Sequence, residues 1–361
     1  MARVMNFNPG PAALPLAALQ RAQADLLDYE GSGMSIIEHS HRGKVYAAVH
    51  NEAIELIREL LRVSDDYHVM FLQGGASQQF AMVPMNLLGD GQSADYVITG
   101  SWSKKALSEG KAVGTVRVAA SSEKDGKFPR IVADSELDLD PKAAYVHITT
   151  NNTIAGTQWH RIPDTKGVPL IADMSSDIMS RPLDVSRFGL IYAGAQKNLG
   201  PSGVTVVIAR KDLVEAGRKD IPKIFQYRTQ AGDNSLYNTP PTFGICLLRN
   251  VLSVLRDRGG LEKVEAENKK KAEMIYGAID ARPDTYRCPV DKASRSLMNV
   301  VFNLTTPELE AEFVAEAQKK GMYGLKGHRS VGGIRASIYN AAERFWIEQL
   351  VDFMNQFKKG A

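Results

Sequence analysis

The segment Ala193-Gly-Ala-Gln-Lys-Asn-Leu-Gly-Pro-Ser-Gly203 sets a lysine just past one apolar run, inside a glycine-rich turn and directly ahead of another apolar run. A long flexible amine at such a place is positioned to reach into a cleft. Lysine condenses with an aldehyde only as the free amine, so a Schiff-base lysine needs surroundings that favour loss of its proton. By itself Lys197 reads equally as a solvated turn residue, and its neighbours give it chemistry. Asp173 closes the earlier run Pro169-Leu-Ile-Ala172 at what would be the same sheet edge. A buried carboxylate beside a pyridine nitrogen keeps that nitrogen protonated, which makes a pyridoxal ring a strong electron sink. A strand-end Asp followed by a strand-end Lys points to a pyridoxal 5'-phosphate site.

Other residues extend the inventory. Gln73-Gly-Gly-Ala-Ser-Gln-Gln79 lies between an apolar run and a helical stretch, so free amides and the Ser77 hydroxyl would cradle a phosphate, although Gly-Gly before a helix is also ordinary punctuation. Trp102 would stack on an aromatic cofactor, or fill a core. Thr153 would hydrogen-bond the ring's phenolic oxygen, or cap a turn. A phosphate cup, a stacking ring, a hydroxyl, a carboxylate and a lysine in this order form the parts list of one site. Two basic clusters, Glu38-His-Ser-His-Arg42 and Gly327-His-Arg-Ser-Val-Gly-Gly-Ile-Arg335, add cationic donors suited to carboxylates and phosphates. Either cluster alone would read as a solvated loop or an intersubunit ion pair. Together they imply a substrate with two or more negative charges.

The elements that must position these residues follow from periodicity. Helical spacing is predicted over Leu16–Tyr29 and Lys44–Leu61, then a strand at His68–Leu72 and a helix from Ser77 to Leu88. Strands recur at Asp95–Thr99 (before a helix from Ser101), Tyr145–Thr149, Pro169–Ala172, Leu190–Ala193 and Val204–Ile208. This alternation predicts an α/β protein with a mainly parallel sheet covered on both faces, its ligand at the carboxyl ends of the strands. An apolar helix over Thr242–Asp257 and a charged one reaching Asp280 lead into a smaller α+β unit. Its strands are predicted at Leu297–Phe302 and Gly333–Ser337, with helices over Pro307–Lys320 and from Ala342. The expected division is a large cofactor-binding domain over 16–262 and a small domain over 263–361 that also takes in residues 1–15.

Bulk composition narrows the setting. With 361 residues, 44% hydrophobic and 24% charged, the chain is predicted to be globular. A net charge of +3 gives no reason to expect nucleic-acid or membrane binding, and no stretch reads as a signal peptide or a membrane span. Cys246 and Cys288 show neither disulfide nor zinc spacing, so no metal is expected and a cytoplasmic location is.

The motifs Asn8-Pro-Gly-Pro11, Ser40-His-Arg42, Gly74-Gly-Ala-Ser77, Asn151-Asn-Thr-Ile154, Ala172-Asp-Met-Ser-Ser176, Gln196-Lys197, Tyr237-Asn-Thr-Pro240 and Gly327–Arg335 with Ala336-Ser-Ile-Tyr-Asn340 carry a resemblance across almost the whole chain. It resembles the phosphoserine aminotransferases, fold-type I enzymes of the class V pyridoxal-phosphate group. The resemblance implies a seven-stranded sheet, a homodimer with active sites at the subunit interface, and transamination between glutamate and 3-phosphohydroxypyruvate in serine biosynthesis. Some relatives also take 4-phosphohydroxythreonine, in pyridoxine synthesis. It implies Lys197 as the Schiff-base lysine, Asp173 at the pyridine nitrogen, Trp102 on the ring, and Thr153 and Gln196 at its face or oxygen. Ala76 and Ser77 would hold the phosphate, with Asn238 and Thr239 from the second subunit. Arg335 would take the α-carboxylate, and His41, Arg42, His328 and Arg329 the phosphate or distal carboxylate. Some members carry arginine where Ser77 stands, which leaves this cup with less charge. Within the wider class, a cysteine desulfurase would need a reactive loop cysteine, and a glyoxylate aminotransferase would not need the His-Arg clusters.

Overall fold

In the computed structural model, which describes residues 3–357, the alternating pattern becomes a sheet wrapped by helices. The elements that matter for the site are, in chain order, α1 (Leu16–Leu27), α2 (Lys44–Leu61), β1 (Tyr67–Leu72), α3 (Gly75–Leu87), β2 (Ser93–Ile98), α4 (Ser101–Val113), β3 (Thr115–Ser121), β4 (Val146–Thr149), β5 (Leu170–Asp173), β6 (Leu190–Gly194), β7 (Thr205–Arg210), α5 (Thr242–Asp257), α6 (Gly260–Asp280), β8 (Tyr286–Arg287), β9 (Asn299–Leu304), α7 (Pro307–Lys319), β10 (Ile334–Ser337) and α8 (Arg344–Gln356). The first seven strands form one sheet in the order β1-β7-β6-β5-β4-β2-β3, with only β7 antiparallel to its neighbours.

Alternate residues of each strand feed different cores, because successive side chains point to opposite faces. Val69 and Phe71 of β1 join a cluster with Ala53, Leu56 and Ile57 of α2 and Ile245, Leu248 and Leu252 of α5. Met70 and Leu72 instead join Phe80 and Val83 of α3 and Ala106 of α4. The apolar stripe of α2 is buried through Tyr46, Val49, Ala53, Leu56 and Ile57, the spacing of one helical face. The helix ends where Arg62 turns left-handed at φ 53° and Val63 N donates back to Arg58 O.

A third core joins α6, α7 and α8 to the antiparallel sheet β8-β9-β10, and Phe7 and Ala13 pack into it. Helix α6 runs between the cores, with Leu261 and Val264 in the first cluster and Ala272 and Ile275 in the third.

Among the elements that depart from the periodicity are the two-residue strand β8, which was not predicted, and two more. Strand β3 was not among the predicted strands: it is an edge strand with Thr115 and Val118 exposed, and Arg117 pairs with Asp95 and Asp138, so no apolar run marks it. Strand β9 begins two residues later than expected, because Ser296 Oγ accepts from the amides of Met298 and Asn299 and holds that stretch in a turn.

Candidate active site

Strands β1, β2, β4, β5 and β6 run the same way, so the loops that leave their carboxyl ends meet at one sheet edge. Gly74, Trp102, Thr153, Asp173 and Lys197 all follow or close such an end. They line a cavity of about 500 Å³ together with Pro9, Gly10, Pro11, Ala76, Ser77, Gln196, His328 and Arg335.

Asp173 is the last residue of β5 and is 5% exposed. Its Oδ1 accepts from Ser175 N and Ser175 Oγ at 2.9 and 2.6 Å, and Ser175 Oγ accepts from Gly194 N at 3.1 Å. Ser175 thus ties the carboxylate to the start of the lysine turn. Burial pushes the Asp173 carboxyl above its ordinary range, with Lys197 and Ser175 pulling it back. Burial likewise pushes the Lys197 amine below its ordinary range; Asp173 opposes this and Arg335 reinforces it. The cavity therefore makes the free amine easier to reach than for a solvated lysine.

The N-terminal segment forms the wall behind Lys197. Ala12 N donates to Gln196 O at 2.9 Å, and Tyr339 Oη donates to Pro9 O at 2.8 Å. A Cβ on Gly10 would sit 3.4 Å from Lys197 Cγ, and at φ +146° the position suits glycine.

Trp102 lies in the first turn of α4, whose start is fixed by Ser103 Oγ accepting from Thr99 N and Gly100 N at 3.0 and 3.1 Å. Its Nε1 donates to Thr153 Oγ1 at 3.0 Å, which leaves the Thr153 hydroxyl proton free to donate. Lys197 Nζ stands 5.5 Å from the indole centroid. The Gly74–Ser77 turn opens α3 with φ +81° at Gly74 and +63° at Gly75, so first-turn amides face the cavity without intrahelical acceptors.

Arg335 comes from β10, across the cleft from the large sheet. It is 7% exposed, donates from Nη1 to Thr153 O at 3.1 Å, and its buried Nε has no partner among the described residues. Burial lowers the His328 pKa, and Arg335, Arg329 and Lys105 add to that effect. A guanidinium at the cavity wall whose Nε has no partner among the described residues fits an anion.

The remaining candidates lie elsewhere on this chain. His41 is half-buried, Arg42, Asn238, Thr239 and Arg329 are exposed, and none of them lines the cavity. Thr239 O accepts from Gln73 Nε2 at 3.5 Å, which places that segment beside the phosphate cup. Three participants had no assigned role in the sequence. Residues 9–12 stood only as a motif. Ser175 was legible as a hydroxyl two residues past a strand-end carboxylate, a common local turn. Lys105, with Nζ 4.5 Å from the Trp102 centroid, had no signal. Both thiols have raised pKa values through burial, Cys246 up to about 11, so neither resembles a reactive thiolate. Among the described residues no His, Cys, Asp and Glu cluster is arranged for a metal ion, and no helix is long and apolar enough to cross a membrane.

A lysine and a strand-end aspartate at the edge of a mainly parallel sheet, faced by an arginine from a second core, define an α/β enzyme of the aminotransferase type. The class-V aminotransferase family model matches residues 4–350, and the chain belongs to that family. Its relatives there are phosphoserine aminotransferases. That of Desulfosudis oleivorans is 58% identical over 99% of this chain and 98% of its own length. The solved structure of the enzyme from Bacillus circulans subsp. alkalophilus superposes with a TM-score of 0.97 at 56% identity, covering 99% of both chains. The pyridoxal-phosphate-bound enzyme of Trichomonas vaginalis gives 0.94 at 39% identity, covering 98% of this chain and 100% of that one.

Proposed function

We propose that the chain is a pyridoxal-phosphate-dependent phosphoserine aminotransferase. It exchanges the amino group of glutamate with the keto oxygen of 3-phosphohydroxypyruvate, giving O-phospho-L-serine and 2-oxoglutarate on the route to serine. The observation that carries this is the joint placement of Lys197, Asp173 and Arg335, whose Nε has no partner among the described residues, around one cavity. The residues present fit the cofactor: a cup of helix amides for its phosphate, an indole and a threonine hydroxyl for its ring, a buried carboxylate for its nitrogen. When bound, pyridoxal 5'-phosphate supplies an aldehyde carbon for the amines and a ring that accepts the electron pair left on substrate Cα.

In this reading Asp173 would hold a proton on the pyridine nitrogen, Trp102 and Gln196 would fix the ring, and Thr153 would donate to its phenolic oxygen. Ala76 and Ser77 bind the phosphate, with Asn238 and Thr239 from a second copy of the chain. Lys197 Nζ, as the free amine, would take the proton from substrate Cα and hand it back within the cavity. Arg335 orients the α-carboxylate, while His328 and Arg329, with His41 and Arg42 from the second copy, receive the distal phosphate or carboxylate. The homodimer is supported by exposed Leu27, Ile37 and Val45, which bracket His41 and Arg42 in sequence. A cytoplasmic location and the division at residues 262/263 belong to the same proposal.

The test is a half-reaction: phosphoserine or serine is added to the yellow holoenzyme and the loss of visible absorbance is timed. Fast conversion by phosphoserine and slow conversion by serine is expected. Equal rates would favour a glyoxylate-type enzyme instead.

A further inference from the structure

The Gly327–Gly333 loop, which carries His328 and Arg329, closes on itself. Gly327 N donates to Gly333 O at 2.8 Å, and His328 O accepts from Val331 N and Gly332 N at 3.0 and 2.9 Å. A Cβ on Gly327 would lie 1.9 Å from Gly332 O, so the two arms meet backbone to backbone. His328 lines the 500 Å³ cavity, and with Gly327, Ser330, Val331 and Gly332 it also lines a second cavity of about 540 Å³. A segment that borders two cavities takes its position from its base, because side packing is sparse there.

Glu310 grips that base. It stands in the first turn of α7, whose start is set by Thr306 Oγ1 accepting from Leu309 N and by Pro307. Its Oε2 accepts from Gly333 N at 2.9 Å, and its Oε1 accepts from Asn303 Nδ2 at 3.0 Å and Leu304 N at 3.3 Å. A Cβ on Gly333, at φ +72°, would sit 2.7 Å from Asn303 Nδ2, so loop and strand touch with nothing between them. One half-buried carboxylate joins α7, β9 and the loop.

We infer that Glu310 is a positioning residue that sets the His328–Arg329 loop and, through it, the preference for substrates with a distal anion. This rests on the proposal that His328 and Arg329 receive that anion. Arg335 has supports of its own, the ladder partner Val301 and the bond to Thr153 O. Loss of Glu310 therefore strikes the distal anion and spares the α-carboxylate.

The experiment compares holoenzymes carrying Glu310→Ala, Glu310→Gln and Arg329→Ala in the half-reaction with phosphoserine and with serine. Glu310→Ala is expected to lower kcat/KM for phosphoserine about tenfold while serine changes less than about twofold. Glu310→Gln keeps one acceptor oxygen and gives a smaller fall in the same direction, so it carries the test if the alanine variant does not fold. Arg329→Ala should lower the same ratio. Glu310 variants whose phosphoserine-to-serine ratio stays at the parent value, while Arg329→Ala lowers it, would overturn the anchor and leave the distal-anion assignment standing. An unchanged ratio in Arg329→Ala as well would overturn that assignment and the anchor with it.

Discussion

Burial sets Lys197 and Asp173 against their ordinary titration, and each is the other's main compensating charge. Only the free amine condenses with an aldehyde, and desolvation lowers the pKa of Lys197 in the folded chain, so the reactive form is present at lower pH than for a solvated lysine. Cofactor uptake by the apo-protein, followed by visible absorbance, should rise with pH and level off below the ordinary lysine value of 10.5. A plateau at or above that value would contradict the desolvated site. Lys197→Ala should abolish that absorbance and lower turnover by at least about 10⁴-fold; near-normal turnover would remove Lys197 from the chemistry. Both residues were legible because Asp173 closes an apolar run and Lys197 follows another within three residues of its strand end. Ser175 was harder to see, since its value lies in joining two strand ends, Asp173 and Gly194, that are distant along the chain.

Among the elements, α6 carries an instructive residue. Lys271 is wholly buried, and its Nζ donates to Ile338 O, Tyr339 O and Ala342 O at 3.0, 2.8 and 3.1 Å. These bonds fasten the segment after β10, where Tyr339 reaches Pro9 behind Lys197, while burial lowers the Lys271 pKa to about 7. Lys271→Met keeps the apolar stem but takes the donor from Ile338 O and Ala342 O, while Tyr339 O keeps its bond from Ala342 N, and should destabilise the fold by about 2 kcal/mol or more in urea denaturation. A loss under about 1 kcal/mol would mean water replaces the ammonium. From sequence, Lys269-Lys270-Lys271 reads as a solvent-facing run. Lys269 does pair with Glu265 at the surface, at 2.9 Å. Lys271 lies on the buried stripe with Asn268, Ala272 and Ile275, so its exposure was decided by helix phase.

For the molecule as a whole, the proposed site is a composite one. His41, Arg42, Asn238 and Thr239 do not line the cavity of their own chain, and in the proposed homodimer they would come from the partner subunit. Arg42→Ala and Lys197→Ala proteins are each expected to be nearly inactive. Mixed after reversible dissociation, they should regain about a quarter of the parent activity, because half the dimers are hybrids with one intact site each. No recovery on mixing would place Arg42 and Lys197 in the same subunit's site.

The sequence by itself determined the α/β alternation, the strand ends that carry Asp173 and Lys197, and the helices, because periodicity and turn chemistry are local properties of the chain. It left β3 unseen, since an edge strand with exposed faces has no apolar signature. Only the tertiary structure decided that Arg335 crosses from β10 to Thr153 with its Nε unpaired, that residues 9–12 back the lysine, and that Glu310 grips the base of the His328 loop. Those contacts join residues far apart along the chain, and sequence periodicity does not encode which distant backbone a side chain will meet.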